Sequence, residues 1–261
     1  MKPDILQAIR NSNALLLEQQ KRVKPFDELF EAARRAPLRA SFKNALKKDG
    51  EVAVIAELKK ASPSRGLIRA EFDVPALASS LENAGAAAMS VLTEPEYFLG
   101  SDANLEIAAA GVKIPLLYKN FVFDKYQICR AKVCGASAVL LIARMLSADE
   151  FEELSAFAKS LNLDTLCEAH TADEIDFLAS AGAEIIGVNC RNLSSFETDF
   201  TISERLLSRI PDGVVRVSES AIDSRETLLR AQAAGADAAL IGTSLMAAEN
   251  PAQKLAELLG K

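Results

Sequence analysis

The chain has 261 residues, of which 49% are hydrophobic and 25% are charged, and its formal net charge is −6. A chain of this size can bury the core of one large or two small domains, and its acidic balance argues against non-specific binding to nucleic acid or to anionic membranes. No run approaches the roughly 18 apolar residues of a membrane span, and the N-terminus, MKPDILQAIRNSN, lacks the apolar core of a secretory signal, so we expect a cytoplasmic protein.

Residues 1–50 are predicted to form three helices that precede the first strand. Asp4 can cap the first helix, and Asp27 can cap a second one, which Pro37 stops. Gly50 can end a short third helix. We expect this segment to be an extension laid over the main fold.

From about residue 52, short runs rich in Val, Ile and Leu alternate with amphipathic helical stretches. Ala-Gly-Ala or Cys-Gly-Ala steps end several of these helices and lead into the next strand. Eight such units over about 200 residues favour a closed (β/α)8 TIM barrel over an open doubly wound sheet, within a single domain spanning residues 1–261. No GxGxxG turn follows the first strand, which disfavours dinucleotide binding. The predicted strands lie near residues 52–59, 87–93, 115–120, 138–144, 164–170, 184–190, 214–220 and 238–243.

Active sites of such barrels lie at the carboxyl ends of the strands. In VIAELKKASPSRG, residues 54–66, strand periodicity places Glu57 and Lys59 on one face, so a carboxylate and an ammonium project together. The same i, i+2 spacing relates residues 168 and 170, and residues 189 and 191. In a barrel mouth such pairs suit proton transfer, whereas a solvated strand end with an incidental ion pair is the alternative.

Small polar turns follow the last two predicted strands. Ser220 and Ala221 follow strand seven, and Gly242 and Thr243 follow strand eight. Barrels commonly bind phosphate there on backbone amides. Tight turning and close packing would also explain Gly242.

The only histidine is His170, and the four cysteines show no CxxC pairing, so a zinc site is not expected and the thiols are expected to be reduced.

Seven blocks, taken in chain order, resemble the signatures of the indole-3-glycerol phosphate synthase family of tryptophan biosynthesis. The resemblance spans nearly the whole chain, and seven ordered blocks at barrel spacing are far more specific than any one of them. The blocks are VIAELKKASPSRG, SVLTEPEYFLG at 90–100, LLYKNF at 116–121, CEAH at 167–170, GVNCRNL at 187–193, VSESAI at 217–222 and LIGTSLM at 240–246.

The resemblance implies a carboxy-lyase that closes a pyrrole ring in 1-(2-carboxyphenylamino)-1-deoxyribulose 5-phosphate, with loss of carbon dioxide and water and without cofactor or metal. It implies that Lys119 is the general acid and that Glu168 and Glu57 are the base and acid of dehydration, with Lys59 paired to Glu57. It further implies substrate contacts from Asn189, Arg191, Glu219, Ser220, Phe98, Leu117, Phe121, Leu140 and Leu193, and phosphate contacts from Ser62, Ala221, Gly242 and Thr243.

The chain departs from the family pattern at several positions. Ala221 stands where the family usually has glycine, and a Cβ there costs about 1 kcal/mol if the position needs a positive φ. Tyr118 and Asn120 flank Lys119 where arginine and aspartate are frequent. His170 matches no acid-base residue of the family and is interpreted as a bystander.

Two other functions stay open at this point. A barrel could bind a sugar phosphate without turnover, or it could be another phosphate-binding enzyme such as phosphoribosylanthranilate isomerase. The combination of Lys119, Glu168, Glu57 and Lys59 favours catalysis, because binding alone would not need paired acids and bases. The isomerase fits the C-terminal turns but fits VIAELKKASPS poorly. We expect a small phosphorylated substrate, no nucleic-acid or membrane partner, and a monomer or weak homo-oligomer.

Overall fold

The computed structural model describes residues 5–48, 50–191 and 198–261, and eight parallel strands in these ranges close into a barrel. The last strand pairs with the first, from Ala53 opposite Ala238 to Ala56 opposite Ile241. The predicted (β/α)8 TIM barrel is therefore confirmed. In chain order the strands are β1 (Ala53–Leu58), β2 (Ala88–Leu92), β3 (Leu116–Lys119), β4 (Ala138–Ile142), β5 (Asp164–Ala169), β6 (Ile185–Asn189), β7 (Val215–Glu219) and β8 (Ala238–Ile241).

Helices surround the barrel, and glycines with positive φ end four of them as predicted: Gly85, Gly135, Gly182 and Gly235. Most of these helices begin at a Ser, Thr, Asp or Asn whose side chain accepts a backbone N–H of the first turn. They are α4 (Val74–Asn83), α5 (Asp102–Gly111), α6 (Lys125–Val133), α7 (Ala148–Ser160), α8 (Ala172–Ser180), α9 (Phe200–Leu207), α10 (Arg225–Ala233), α11 (Thr243–Ala247) and α12 (Pro251–Leu259), with a 3₁₀ turn at Ala143–Met145.

Three helices precede the barrel: α1 (Ile5–Val23), α2 (Phe26–Arg35) and α3 (Phe42–Ala45). The prediction that Asp27 caps the second helix is wrong, because Pro25 holds the N-cap position and Asp27 lies inside the first turn. Proline suits a helix start, since its fixed φ is already close to helical and it has no N–H to satisfy.

The extension covers both ends of the barrel. Helix α1 lies over the carboxyl ends of the strands, where Arg10 donates to the carbonyl of Met145 at 2.6 Å. Helix α3 lies at the opposite end, where the backbone N–H of Lys43 donates to Asp164 at the start of β5 at 2.9 Å. Of these two helices, α1 is therefore the one that covers the end at which barrel active sites lie. None of the helices in the described ranges combines the length and apolar character needed to cross a bilayer.

Candidate active site

A cavity of about 390 Å³ opens at the carboxyl ends of the strands. It brings together residues that are far apart in the sequence but were predicted to form one site. The predicted residues in its lining are Glu57, Lys59, Phe98, Lys119, Phe121, Leu140, Glu168, Asn189, Arg191, Glu219, Ser220, Ala221, Gly242 and Thr243.

Two predicted residues of the described ranges do not line this cavity. Leu117 is fully buried in the core and not in the lining, because it points the same way as Lys119 but sits two residues earlier, one layer deeper in the barrel. Ser62 lines a smaller adjoining cavity of about 80 Å³, which shares Arg191 and Thr243 with the main cavity. Leu193 lies outside the described residues.

Four charged side chains at the cavity floor come from alternate strands. Glu57 belongs to β1, Lys119 to β3, Glu168 to β5 and Glu219 to β7. In (β/α)8 barrels each interior layer is built from four such strands, and the layer is normally apolar. The uppermost layer here is instead charged, which indicates chemistry rather than packing.

Lys119 is the centre of this layer. Its Nζ lies 2.7 Å from Oε2 of Glu219 and 3.3 Å from Oε2 of Glu168, and its side chain is only 13% exposed. Burial opposes the ammonium charge, but Glu219, Glu168 and Glu57 outweigh burial and hold the pKa of Lys119 well above its ordinary value. Lys119 is thus a protonated, positioned donor throughout the neutral pH range.

Glu57 and Lys59 form the second charged group of the cavity. Lys59 Nζ lies 2.7 Å from Oε2 of Glu57, and the Ser90 hydroxyl donates to the other carboxylate oxygen at 3.4 Å. Burial alone would raise the pKa of Glu57, yet Lys59 and Lys119 outweigh it and keep that pKa below its ordinary value. Glu57 is therefore ionised at neutral pH.

The two carboxylates that share Lys119 differ in their proton affinity. Burial acts against ionisation of Glu168, but Lys119, then His170 and Asn189, lower its pKa below the ordinary value. Burial raises the pKa of Glu219 to about 7 against the pull of Lys119, and the nearby charge of Glu168 adds to the rise. Two carboxylates beside one ammonium are not equally ionised, and Glu219 is the one that can hold a proton near neutrality.

This difference predicts how Glu219→Gln changes stability. A carboxyl whose folded pKa exceeds its unfolded pKa contributes stability at low pH, and that contribution is lost as the pH rises towards about 7. Glutamine does not ionise, so the variant does not suffer this loss. We expect the free energy of unfolding of the variant, relative to the parent, to be greater at about pH 8 than at about pH 5 by on the order of 2 kcal/mol. Urea unfolding at both pH values measures the difference, with Glu204→Gln on the surface as the control. The same difference at both pH values would contradict the titration assigned to Glu219.

Two glycines make room for these carboxylates. A Cβ at Gly187 would clash with the carboxylate of Glu219, and a Cβ at Gly242 would clash with that of Glu57. Close packing was the alternative explanation for Gly242, and the structure shows that this glycine packs closely against Glu57 of the charged layer. Sequence reasoning missed Gly187, although an isolated glycine inside the strand run IIGVN is a signal of close approach.

The turns after β7 and β8 form another part of the cavity lining. Ser220 and Ala221 have φ values of 73° and 58°, in the left-handed region. Ala221 therefore has the positive φ at which a Cβ causes steric strain. Asn189 connects this turn to β6, because its Oδ1 accepts from the Ser220 hydroxyl at 2.9 Å and from the Arg191 N–H at 3.0 Å.

An apolar region adjoins the charged layer. The rings of Phe98 and Phe121 lie 6.0 Å apart, and Leu6 of α1 also lines the cavity. The loop that carries Phe98 is ordered by the fully buried Glu94, whose carboxylate accepts the Tyr97 N–H at 2.7 Å and the Phe98 N–H at 3.1 Å. Sequence reasoning missed both Leu6 and Glu94, because each depends on contacts that no local pattern reveals.

The barrel and its site define the class of protein: a (β/α)8 barrel enzyme of the acid-base type, with a positioned ammonium among carboxylates. The model of the indole-3-glycerol phosphate synthase family matches residues 6–258. The chain therefore belongs to the indole-3-glycerol phosphate synthase family.

Individual relatives agree with this assignment. The chain is 47% identical over 260 residues to an indole-3-glycerol phosphate synthase of Koribacter versatilis, covering 98% of each chain. It is 42% identical over 245 residues to one of Campylobacter jejuni subsp. doylei, covering 93% of this chain and 95% of the relative. Among solved structures, a mutant tryptophan synthase α-subunit from Pyrococcus furiosus shares the fold, with a TM-score of 0.61 at 14% identity over 82% of this chain and 100% of that chain.

Proposed function

We propose that the chain converts 1-(2-carboxyphenylamino)-1-deoxyribulose 5-phosphate to indole-3-glycerol phosphate, as a carboxy-lyase of tryptophan biosynthesis. The observation that carries the proposal is the buried ammonium of Lys119, which lies 2.7 Å from Glu219 and 3.3 Å from Glu168 in the same cavity as the Glu57–Lys59 pair. Membership of the family supplies the substrate and the reaction.

Lys119 is the general acid of ring closure in this proposal. Attack of the aromatic ring on the ribulose carbonyl forms a carbon-carbon bond and leaves negative charge on the carbonyl oxygen. The ammonium donates its proton to that oxygen, and an alkoxide is a stronger base than an amine, so the raised pKa of Lys119 does not prevent the transfer. Loss of carbon dioxide then restores the aromatic ring.

Glu168 and Glu57 carry out the dehydration. Glu168, whose pKa is lowered despite burial, takes up a proton from the intermediate as the base. Glu57 is ionised in the free enzyme, so it acts as the acid only after it has gained a proton, and Lys59 at 2.7 Å is the nearest ammonium. The leaving hydroxyl departs as water once it is protonated.

The remaining residues bind and orient the substrate. Arg191 suits the anthranilate carboxylate because a guanidinium donates two parallel hydrogen bonds to a carboxylate. Asn189 and Glu219 orient the hydroxyl groups, together with Ser220. The benzene ring lies in the apolar region, against Phe98, Phe121 and Leu140.

The phosphate binds at the turns after β7 and β8. Ala221, Gly242 and Thr243 line the cavity at these two turns, and Ser62 lies in the adjoining cavity beside Thr243. Backbone amides at such turns suit an anion, as they do in other phosphate-binding barrels.

Ala221→Gly should strengthen this part of the site. Glycine adopts the observed φ of 58° without the steric penalty of a Cβ and lets the phosphate approach the backbone more closely, so we expect a lower KM, by about threefold, with kcat nearly unchanged. Stability should rise or hold, since relief of strain opposes the entropy that glycine adds to the unfolded chain. Ala256→Gly within α12 is the matched control and should destabilise by about 1 kcal/mol. A raised KM in Ala221→Gly would contradict the strain argument.

Turnover of the anilino-deoxyribulose phosphate tests the proposed function. The chain has no tryptophan, so the fluorescence of an indole product stands out against the protein. We expect indole formation with release of one carbon dioxide per product. A folded chain that forms no indole would refute the synthase, and isomerisation of phosphoribosylanthranilate instead would establish the isomerase.

We also propose that the enzyme acts in the cytoplasm as a monomer or weak homo-oligomer, without nucleic acid or membrane. The net charge of −6 and the four unpaired, buried cysteines support this. Sedimentation of the purified chain tests the oligomeric state, and a dimer that persists at nanomolar concentration would contradict it.

A further inference from the structure

His170, the only histidine of the chain, lies directly behind Glu168. Its Nε2 is 3.5 Å from Oε1 of Glu168, whereas the other oxygen of that carboxylate faces Lys119 at 3.3 Å. The imidazole is buried, with 8% of its side chain exposed, and Glu168 separates it from Lys119. The carboxylate of Glu168 is thus held between an ammonium on one side and an imidazole on the other.

A second carboxylate faces the opposite side of the imidazole. His170 Nδ1 is 3.7 Å from Oε2 of Glu174 in the first turn of α8, and the same oxygen accepts the His170 backbone N–H at 2.6 Å. Arg144, in the 3₁₀ turn after β4, has its Nε 3.7 Å from the other oxygen of Glu174. Charged groups therefore continue from Lys119 through Glu168, His170 and Glu174 to Arg144, which is 39% exposed.

The chemistry of an imidazole explains why it suits this place. Among the described residues, neither buried ring nitrogen makes a hydrogen bond, and the polar atoms that face them are these carboxylate oxygens at 3.5 and 3.7 Å. A buried ring nitrogen without any polar neighbour would be costly, and each ring nitrogen of His170 faces a carboxylate oxygen. The side chain of Glu174 is fixed in turn by the His170 backbone N–H and by Arg144, so the imidazole is held from its outer side.

We propose that His170 is a positioning residue for Glu168, which orients this carboxylate and keeps it ionised for its role as a base. The inference rests on the proposed function, in which Glu168 takes up a proton. Burial works against the charge of Glu168, and His170 acts with Lys119 to keep the pKa of Glu168 below its ordinary value. His170 acts through Glu168 and touches no reacting atom.

The pH dependence of kcat in two variants tests this role. In His170→Leu we expect kcat to fall about tenfold with KM within about twofold, and the acidic limb of the kcat profile to move to higher pH by about half a unit or more, because Glu168 loses a favourable neighbour. In His170→Gln an amide N–H can still donate to Glu168, so most of the turnover should return. Substrate ionisation is common to all variants and does not contribute to the difference.

Glu174→Gln supplies a second test that leaves the imidazole in place, and Glu204→Gln is the control for a paired carboxylate on α9. Glu174→Gln should move the acidic limb in the same direction as His170→Leu, and Glu204→Gln should not move it. Wild-type turnover with an unchanged pH profile in His170→Leu would overturn this inference but not the proposed function. A loss of stability in His170→Leu without a shift of the acidic limb would do the same. Absence of turnover in the wild-type chain would refute the proposed function, and this inference with it.

Discussion

In Lys119→Met, we expect turnover to fall by about 10²-fold or more while the barrel stays folded. Methionine fills a similar volume but donates no proton, and Lys119 is the donor placed between Glu219 at 2.7 Å and Glu168 at 3.3 Å. KM should change much less than kcat, because the proton is given to the substrate only as the carbonyl is attacked.

Lys119→Met should also reverse the pH dependence of the stability that Glu168 contributes. In the parent chain the pKa of Glu168 is lowered despite burial, so its contribution to stability is present above the unfolded pKa and is lost as the pH falls. Without the ammonium, burial raises the pKa of Glu168 and raises that of Glu219 further, so the stability of the variant should fall more steeply than that of the parent as the pH rises. Loss of the partner should cost about 3 kcal/mol at about pH 8, and less at about pH 5.

Lys132→Met is the matched control for this variant. Lys132 is also buried, at 4% exposure, but it lies on α6 away from the cavity. Its turnover should stay within about twofold of the parent. Near-normal turnover in Lys119→Met would remove Lys119 from the mechanism, and an equal loss in the control would point to folding rather than chemistry.

Gly242→Ala is expected to disable the site from within the barrel. The added Cβ would lie 3.1 Å from the Cβ of Glu57 and 2.9 Å from its Cδ, so the carboxylate must move away from Lys59. Overpacking of this kind costs about 2 to 3 kcal/mol, and a displaced Glu57 should lower kcat by about 10²-fold. Urea unfolding and steady-state kinetics measure the two effects.

A glycine without close neighbours is the control for Gly242→Ala. Gly111 ends α5, and a Cβ added there would meet no atom within 4 Å, so Gly111→Ala should leave stability and turnover unchanged or raise stability slightly. Combining Gly242→Ala with Glu57→Ala should restore part of the lost stability, with a coupling of about 1 kcal/mol or more. Additive losses in this double-mutant cycle would show that the new Cβ does not act through Glu57.

Much of the barrel was predictable because its signals are local. Runs of Val, Ile and Leu ending in acids or bases, with glycines of positive φ at the helix ends, place each strand within about two residues of its observed bounds. The period of a strand also aims Glu57 and Lys59 to one side, and both line the cavity. The organisation of residues 1–261 as a single domain stays a prediction.

What local patterns did not reveal depends on depth and on contacts between distant strands. The family resemblance implies a substrate contact from Leu117, and strand periodicity gives the direction of this side chain but not its layer, which lies in the core. The pairing of Lys119 with Glu219 joins β3 to β7, and no spacing in the sequence encodes that distance. His170 is interpreted as a bystander from the sequence because it matches no acid-base residue of the family. The i, i+2 spacing gives its closeness to Glu168, but its contact with Glu174 depends on how α8 packs beside β5.

A crystal structure with a substrate analogue that carries both a phosphate and an anilino carboxylate tests the account most directly. We predict the phosphate at the turns of Ser220–Ala221 and Gly242–Thr243, and Lys119 Nζ at about 3 Å from the oxygen that represents the ribulose carbonyl. A phosphate bound away from these turns, or a Lys119 ammonium beyond hydrogen-bond reach of that oxygen, would contradict the proposed site.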